Sequence, residues 1–459
     1  MRKTKIVVIG AGSASFGLVN LGAILRTEEL KGSTLCLVDV NPVGLDQITR
    51  LARRMNQEWQ AGMEIVSAID RDDVLEGAEY VILSVAIDRE ACWKSDVEIA
   101  LKRGIRHYGE NGGPGALIHT ARNVELILPI LKDIERLCPE AWVLNFTNPV
   151  PRMCIAAARF TKLKIVGICH AIDFAYVMLA KFFKEDCGFD IPDDYTFTWQ
   201  QDWSTYGKMA QLGKERYDVR AAGINHFTWI LSIKDRQSGE EVLPELKQRF
   251  LDSHFEFEPY TREILSVFGE LPVSGDCHML EYLPFTHNVQ RKSWERFDIQ
   301  MYPLDQASQD REGMWEKIER LSRGEGSIEE LRHAHSERAE QLIVAMLTGK
   351  PLYDQAVNLP NRGYITNLPE GAIVEVPALI DAHGIHGIGV GKLPDPVAEW
   401  CRREIFLAEK VVAAVVNQDK KALLEAMALD PMVDDLTVAR DLLEEYLSAN
   451  QKYLPTFGD

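Results

Sequence analysis

Lys5-Ile6-Val7-Val8-Ile9-Gly10-Ala11-Gly12-Ser13-Ala14-Ser15-Phe16 lies at the head of the chain and decides how the rest is read. A short run of apolar, β-branched residues reads as a strand, and the glycines after it as the turn into a helix. Gly10 permits the tight turn, and Gly12 lets the backbone approach a pyrophosphate at the helix N-terminus. Ser13, Ser15 and Phe16 complete the loop as cofactor contacts; Ser15 stands where the usual fingerprint has a third glycine, so a hydroxymethyl group must fit where helix meets strand. Asp39 ends the second apolar run, where a carboxylate binds both ribose hydroxyls and repels a 2′-phosphate, which points to NAD rather than NADP.

Outward from this loop, short apolar runs at 5–10, 34–40, 64–69, 80–86, 142–147 and 164–169 alternate with helical stretches such as 42–60, 92–102 and 117–137. Continuous apolar strands separated by helices mark an α/β chain with a Rossmann-like, doubly wound parallel sheet, whose ligands sit beyond the C-terminal strand ends. After about residue 190 the rhythm changes: 218–222 and 227–234 read as strands of a second, mixed sheet, and helical periodicity dominates 306–347 and everything from 396 onward. The expected organisation is a NAD-binding domain over 1–190 packed on a helix-rich α+β domain for substrate binding and oligomerisation over 191–459, with the site between them.

The 459 residues suffice for two domains, and an apolar fraction of 46% with a charged fraction of 26% is ordinary for a soluble enzyme. A net charge of -18 argues against nucleic acid and anionic membranes as main partners, because no basic field draws them in. The run from Ile6 to Ile9 is too short for a signal-peptide core and no later stretch approaches a membrane span, so the expected location is cytoplasmic. The eight cysteines, with no Cys-x-x-Cys among them, are then reduced thiols available as ligands.

Two short segments concentrate metal-binding chemistry. Cys169-His170 follows the predicted strand 164–168, and Gly223-Ile224-Asn225-His226 follows another. A thiol at the start of the next helix is expected to have a lowered pKa, and thiolate plus imidazole bind a divalent transition metal while leaving positions open for substrate oxygens. Taken singly, Cys169 and His226 read as buried structural residues; their shared strand-end placement beside a dinucleotide loop favours a metal pair. A redox cofactor and a metal on one chain point to chemistry at a carbon bearing hydroxyl groups.

These residues carry a resemblance. Gly10-Ala-Gly-Ser13, Gly112-Gly-Pro-Gly115, Asn145-Phe-Thr-Asn-Pro149, Gly167-Ile-Cys-His170, Gly223-Ile-Asn-His226 and the stretch from Asn358 to Pro369, with Val374-Glu-Val-Pro377, are similar in order and type to the NAD- and manganese-dependent glycosidases, glycoside hydrolase family 4. That family stands apart from two-carboxylate glycoside hydrolysis. The resemblance implies oxidation of the sugar at C3 by NAD⁺, removal of the acidified C2 proton by a base, and stabilisation of the resulting charge by Mn²⁺ or another divalent metal on the C2 and C3 oxygens. Departure of the glycosidic oxygen, addition of water and return of the hydride complete the cycle.

Carried over by position, the resemblance implies Cys169 and His226 as metal ligands and Asn148 as a partner of sugar hydroxyls, with Asn225 a further substrate contact. His170 is implied as a sugar contact and candidate acid, with Asp173 its alternative, and Asp276 as base, with Tyr282 second. It also implies a small carbohydrate substrate and a homodimer or homotetramer; the helical stretch 436–447 is a candidate to cover the cleft or form a subunit interface. Branches acting on 6-phospho sugars place an arginine where Trp93 stands, and tryptophan cannot supply that charge. Trp93 therefore points to an unphosphorylated α-glucoside, α-galactoside or α-uronide, with its ring against a sugar face; Arg89 and Lys94 leave a uronate carboxylate open. From the residues alone two competitors stay open. One is a NAD-dependent dehydrogenase of the lactate/malate type acting on a small hydroxy acid, which leaves the Cys169/His226 pair unexplained, and the other is a NAD-binding sensor without turnover.

Overall fold

Both faces of the first strand are apolar, and both are buried: Ile6 and Val8 enter one core layer, Val7 and Ile9 the other. That double burial is why the N-terminal strands read as unbroken apolar runs instead of alternating ones. The computed structural model of the chain describes residues 2–201, 203–253, 257–333 and 336–457, with the side chains of 14–17 and 19 outside the description. Its strands are β1 (Lys5–Ile9), β2 (Thr34–Val38), β3 (Glu64–Ala68), β4 (Tyr80–Leu83), β5 (Trp142–Asn145), β6 (Lys164–Ile168), β7 (Tyr217–Ile224), β8 (Phe227–Asp235), β9 (Leu352–Pro360), β10 (Ile373–Asp381) and β11 (Gly384–Gly387).

The first six strands pair in parallel in the order β3–β2–β1–β4–β5–β6, the doubly wound arrangement expected. The second half departs from expectation. Its strands form no separate sheet: β9, β10, β7 and β8 follow β6 across one continuous sheet, all antiparallel, with β11 on β10. The junction is short, Gly167 opposite Asn358 and Ile168 opposite Val357. It covers the edge that β6 would otherwise leave unpaired.

Helices flank the parallel part on both faces. Pro42–Glu58 starts where Asn41 accepts the Val43 and Gly44 amides, with Pro42 in the first turn, and it buries Ile48, Leu51, Ala52 and Met55 along one stripe. With Ala14–Arg26 it packs under Leu304–Ser322. On the other face lie Gly113–Leu137, Val150–Phe160 and Asp395–Val416. The helix Leu436–Ala449 contributes none of the residues that line the cleft. Its buried face packs on Arg89–Leu101, where Tyr446 donates to the Asp96 carbonyl at 3.0 Å. Arg122, forked on the Asp96 carboxylate, also reaches Asn450 Oδ1 at 2.8 Å and ties down the end of that helix. Among the described residues no helix is long and apolar enough to cross a membrane.

Candidate active site

The C-terminal ends of β1, β2 and β4 frame a groove of about 800 Å³, at the point where the strand order reverses and ligands of such sheets bind. Gly10 has φ +89°, and a Cβ there would lie 1.9 Å from the Ser84 carbonyl oxygen, so no other residue fits this turn. Gly12 presses against Asp39: its amide donates to Oδ2 at 2.8 Å, and a Cβ would fall 2.7 Å from the carboxyl carbon. Asp39 also accepts the Asn41 amide at 2.8 Å, which leaves each oxygen with a further acceptor site. Ser13 precedes the helix Ala14–Arg26 without bonding its first turn by its side chain, so those amides stay available to an anion. The side chains of Ser15 and Phe16 lie outside the described residues.

A second cavity of about 290 Å³ adjoins the groove, and Arg89, Phe146, Asn148 and Glu337 line both. At its centre Cys169 Sγ and His226 Nε2 stand 3.2 Å apart. Two donors on one ion, at bond lengths of about 2.3 and 2.0–2.1 Å, lie roughly 3.1–3.5 Å from each other, so the pair fits one divalent cation. Cys169 leaves the end of β6, and His226 occupies the two-residue turn between β7 and β8 with φ +64°. That left-handed conformation is strained for a non-glycine and recurs at functional turns. Among the described residues no third His, Cys, Asp or Glu converges on the pair. The expectation of a lowered thiol pKa fails: burial pushes Cys169 up, and the His170 charge and the Ala171 amide do not offset it. The helix that follows begins only at Asp173.

Asn148 lies where groove meets cleft, its amide 3.3 Å from Glu110 Oε1 and its carbonyl accepting from Asn123 at 2.6 Å. His170 is exposed at the cleft rim, 4.0 Å from Glu337. Asp173, its alternative, is buried and ion-paired with Lys214 at 2.7 Å, so it faces away from that role.

Four expected contacts sit one layer back. Trp93 is 1% exposed, stacked on Tyr302 at 4.8 Å, under the Arg89 guanidinium at 4.9 Å, and donates Nε1 to the Tyr108 carbonyl. A sugar would therefore meet Tyr302 and Trp199 before it met Trp93. Asn225 is fully buried, with its amide on Glu375 at 2.7 Å. Asp276 caps the helix Pro259–Phe268, accepting the Tyr260 and Thr261 amides at 2.9 and 2.6 Å and the Thr261 hydroxyl at 2.7 Å. It faces the neighbouring groove instead of the metal pair. Tyr282 is buried and donates its hydroxyl to the Asn225 carbonyl at 3.1 Å.

Other residues take the cleft positions that sequence reasoning left empty. His278 stacks on His226 with ring centres 4.2 Å apart, and its Nδ1 is 2.8 Å from Glu281, which also accepts the Asn111 amide at 2.6 Å. The signal was present: His278 and Glu281 are three apart on the helix Asp276–Tyr282, hence on one face. Glu110 had no local signal. It is buried and bonded to Arg89 at 2.6 Å. Burial pushes its carboxyl up, yet the Arg89 and His119 charges and the Arg89 hydrogen bond bring it down to about 2.

A family model described as family 4 glycosyl hydrolase matches residues 5–184, and the model of that family's C-terminal domain matches 221–433. The chain is 29% identical to an alpha-glucosidase of Erwinia rhapontici over 98% of its own length and 99% of that protein's. It is 28% identical to an alpha-galactosidase of Bacillus subtilis (strain 168) over 99% of both. Among solved structures, a 6-phospho-alpha-glucosidase from gut microorganisms, in complex with NAD and Mn²⁺, superposes with a TM-score of 0.79 at 19% identity over 100% of both chains.

Proposed function

The chain belongs to family 4 of the glycosyl hydrolases and is a glycosidase, and from that premise we propose that it hydrolyses an unphosphorylated, uncharged α-hexoside with NAD and a divalent metal, Mn²⁺ foremost, as resident cofactors. One observation carries the substrate reading. Arg89 is the one Arg or Lys among the described residues lining the cleft, and Glu110 occupies it at 2.6 Å, with Glu337 a second carboxylate on the wall. A phosphate or uronate would find the cleft's one Arg or Lys among the described residues already paired and Glu110 and Glu337 on the wall, whereas the aromatic rings of Trp199 and Tyr302 suit a neutral sugar face. The α configuration rests on the likeness to the alpha-glucosidase and alpha-galactosidase.

When bound, NAD supplies a hydride acceptor and donor, and the metal a Lewis acid beside the sugar hydroxyls. Asp39 and the Gly12 turn hold the dinucleotide, and Cys169 with His226 hold the metal. Asn148, shared by groove and cleft, presents its amide where the two ligands meet, fixed from behind by Asn123 and Glu110. His170 at the rim donates to the leaving oxygen. His278, aligned by Glu281, presents an imidazole beside the metal pair without being free to turn. Asp276 and Tyr282 serve as positioning residues for this wall.

The test is a panel of p-nitrophenyl α-glycosides (glucoside, galactoside, their 6-phosphates, glucuronide and galacturonide), assayed with NAD⁺, Mn²⁺ and a thiol reductant and then with each omitted. Release of nitrophenol from a neutral hexoside, dependent on both cofactors and without net NADH, is the expected result. Preference for the phosphorylated or uronic members sinks the substrate reading, and release indifferent to NAD⁺ and Mn²⁺ sinks the cofactor reading.

A further inference from the structure

Glu375 is the third residue of β10, 1% exposed, a carboxylate with no cation paired to it among the described residues. Its partners are neutral donors: Asn225 Nδ2 at 2.7 Å, Asn358 Nδ2 at 2.9 Å and Thr228 Oγ1 at 2.7 Å. A buried charge held only by neutral groups is costly unless an opposite charge lies close by.

Strand register explains what this carboxylate joins. Gly167 of β6, Asn358 of β9, Glu375 of β10, Gly223 of β7 and Thr228 of β8 form one row across five strands. Cys169 is two residues beyond one member of the row and His226 three beyond another. β6 and β7 are three strand spacings apart, about 14 Å. Even so, the Cys169 and His226 donor atoms lie 3.2 Å apart. The gap closes because the Asn225–His226 turn is pulled inward, its amide on Glu375 and its carbonyl on the Tyr282 hydroxyl. Asn358, on the same carboxylate, reaches the Gly167 carbonyl at 3.4 Å on the Cys169 side.

We propose that Glu375 is the buried counter-charge of the metal held by Cys169 and His226, and the positioning residue that sets the separation of those two ligands through Asn225 and Asn358. This rests on the metal reading above. Glu375 touches neither the ion nor its ligands; it acts through Asn225, the residue before His226, and through Asn358, and its loss is expected to cost metal affinity on the scale of outer partners in general, roughly 10- to 100-fold.

Glu375→Gln separates charge from shape. The new amide donates to Thr228 Oγ1, whose own hydrogen is free to go to the Ile224 carbonyl at 2.9 Å, and the remaining oxygen still accepts from both asparagines. The network survives with one charge fewer. Mn²⁺ affinity is measured from the electron paramagnetic resonance of free Mn²⁺ added to protein without substrate, and thermal midpoints are recorded with and without the metal. The expected result is Mn²⁺ binding weakened roughly 10- to 100-fold, with a metal-free midpoint equal to or above that of the unaltered protein and a smaller rise on adding Mn²⁺. Unchanged affinity with a lowered metal-free midpoint would make Glu375 a structural strut and overturn the proposal. If Glu375→Gln does not fold, Asn225→Ala decides: it keeps the carboxylate but cuts its link to the His226 turn, and wild-type Mn²⁺ affinity in that variant overturns the positioning role. Failure of the unaltered protein to bind Mn²⁺ refutes the cofactor reading itself, and this inference with it.

Discussion

Glu110→Gln removes the charge that quenches Arg89 and thereby tests both the stability and the specificity of the cleft. The Glu110 carboxyl, brought from an ordinary 4.5 to about 2, is more stable ionised in the fold than in the unfolded chain. At 1.36 kcal/mol per unit, that shift is worth about 3 kcal/mol. Removing one partner of a buried ion pair costs on the order of 3–5 kcal/mol, the same order of magnitude. Because the folded pKa is depressed, this stabilisation is complete above about pH 4.5 and is lost as pH falls towards about 2. Urea unfolding of variant and unaltered protein at pH 7 should differ by about 3 kcal/mol, with the gap narrowing only below about pH 4.5. The same substitution frees a guanidinium in the cleft. A charged hydrogen bond is worth about 1.5–3 kcal/mol, so inhibition by a hexose 6-phosphate or a uronate, relative to the neutral hexose, should strengthen by roughly 10- to 100-fold. A stability loss below about 1 kcal/mol together with an unaltered ratio of anionic to neutral inhibition would refute the reasoning.

Gly10→Ala, with its Cβ aimed at the Ser84 carbonyl from a backbone φ of +89°, should lose NADH binding by fluorescence titration and lower the thermal midpoint; binding within about threefold of normal would contradict the tight-turn account. Asp276→Asn should cost about 1–2 kcal/mol through its capping bonds, while exchange of the sugar C2 proton in D₂O persists within about tenfold. Exchange abolished in a variant of unchanged stability would return Asp276 to the role of base. Glu404 and Asp430 are buried carboxyls raised to about 8 and about 7, burial being the main cause, with Asp430 also raising Glu404 and with Arg152 and Arg403 opposing in both. The folded protein therefore holds these protons more tightly than the unfolded chain, and the contribution is full below about pH 4 and lost as pH rises through about 7–8. Glu404→Gln should flatten the fall in unfolding free energy between pH 5 and 8 by up to about 1.4 kcal/mol per pH unit, and an unchanged slope would refute it.

The N-terminal sheet was legible because its information is local. Strands buried on both faces carry unbroken apolar runs, and the Gly10–Ser13 turn tolerates no other residue where Ser84 crowds it. Cys169 and His226 were legible for a related reason: each ends a strand, so the chain itself announces where it stops and presents a side chain. The continuation of the sheet was not legible. Its junction joins Gly167 to Asn358, 191 residues apart, and nothing in either segment names the other. The roles within the cleft were hidden in the same way. Asp276, Tyr282, Asn225 and Trp93 have the right chemistry for a sugar site, yet each spends its polar atoms on a neighbour from elsewhere in the chain, Thr261, Asn225, Glu375 and Tyr108 respectively.

By itself, then, the amino-acid sequence determined the class of fold and set the Gly-rich turn and the Cys169 and His226 side chains at strand ends, because residue type and periodicity along a single segment are enough to specify a strand, a turn and the residue that follows it. Only the tertiary structure decided which side chains are left free to meet a substrate. A carboxylate or a hydroxyl is available for chemistry only if no other donor or acceptor has claimed it, and the claimants, such as Glu110 on Arg89 or Glu375 on Asn225, arrive through packing of segments remote in sequence.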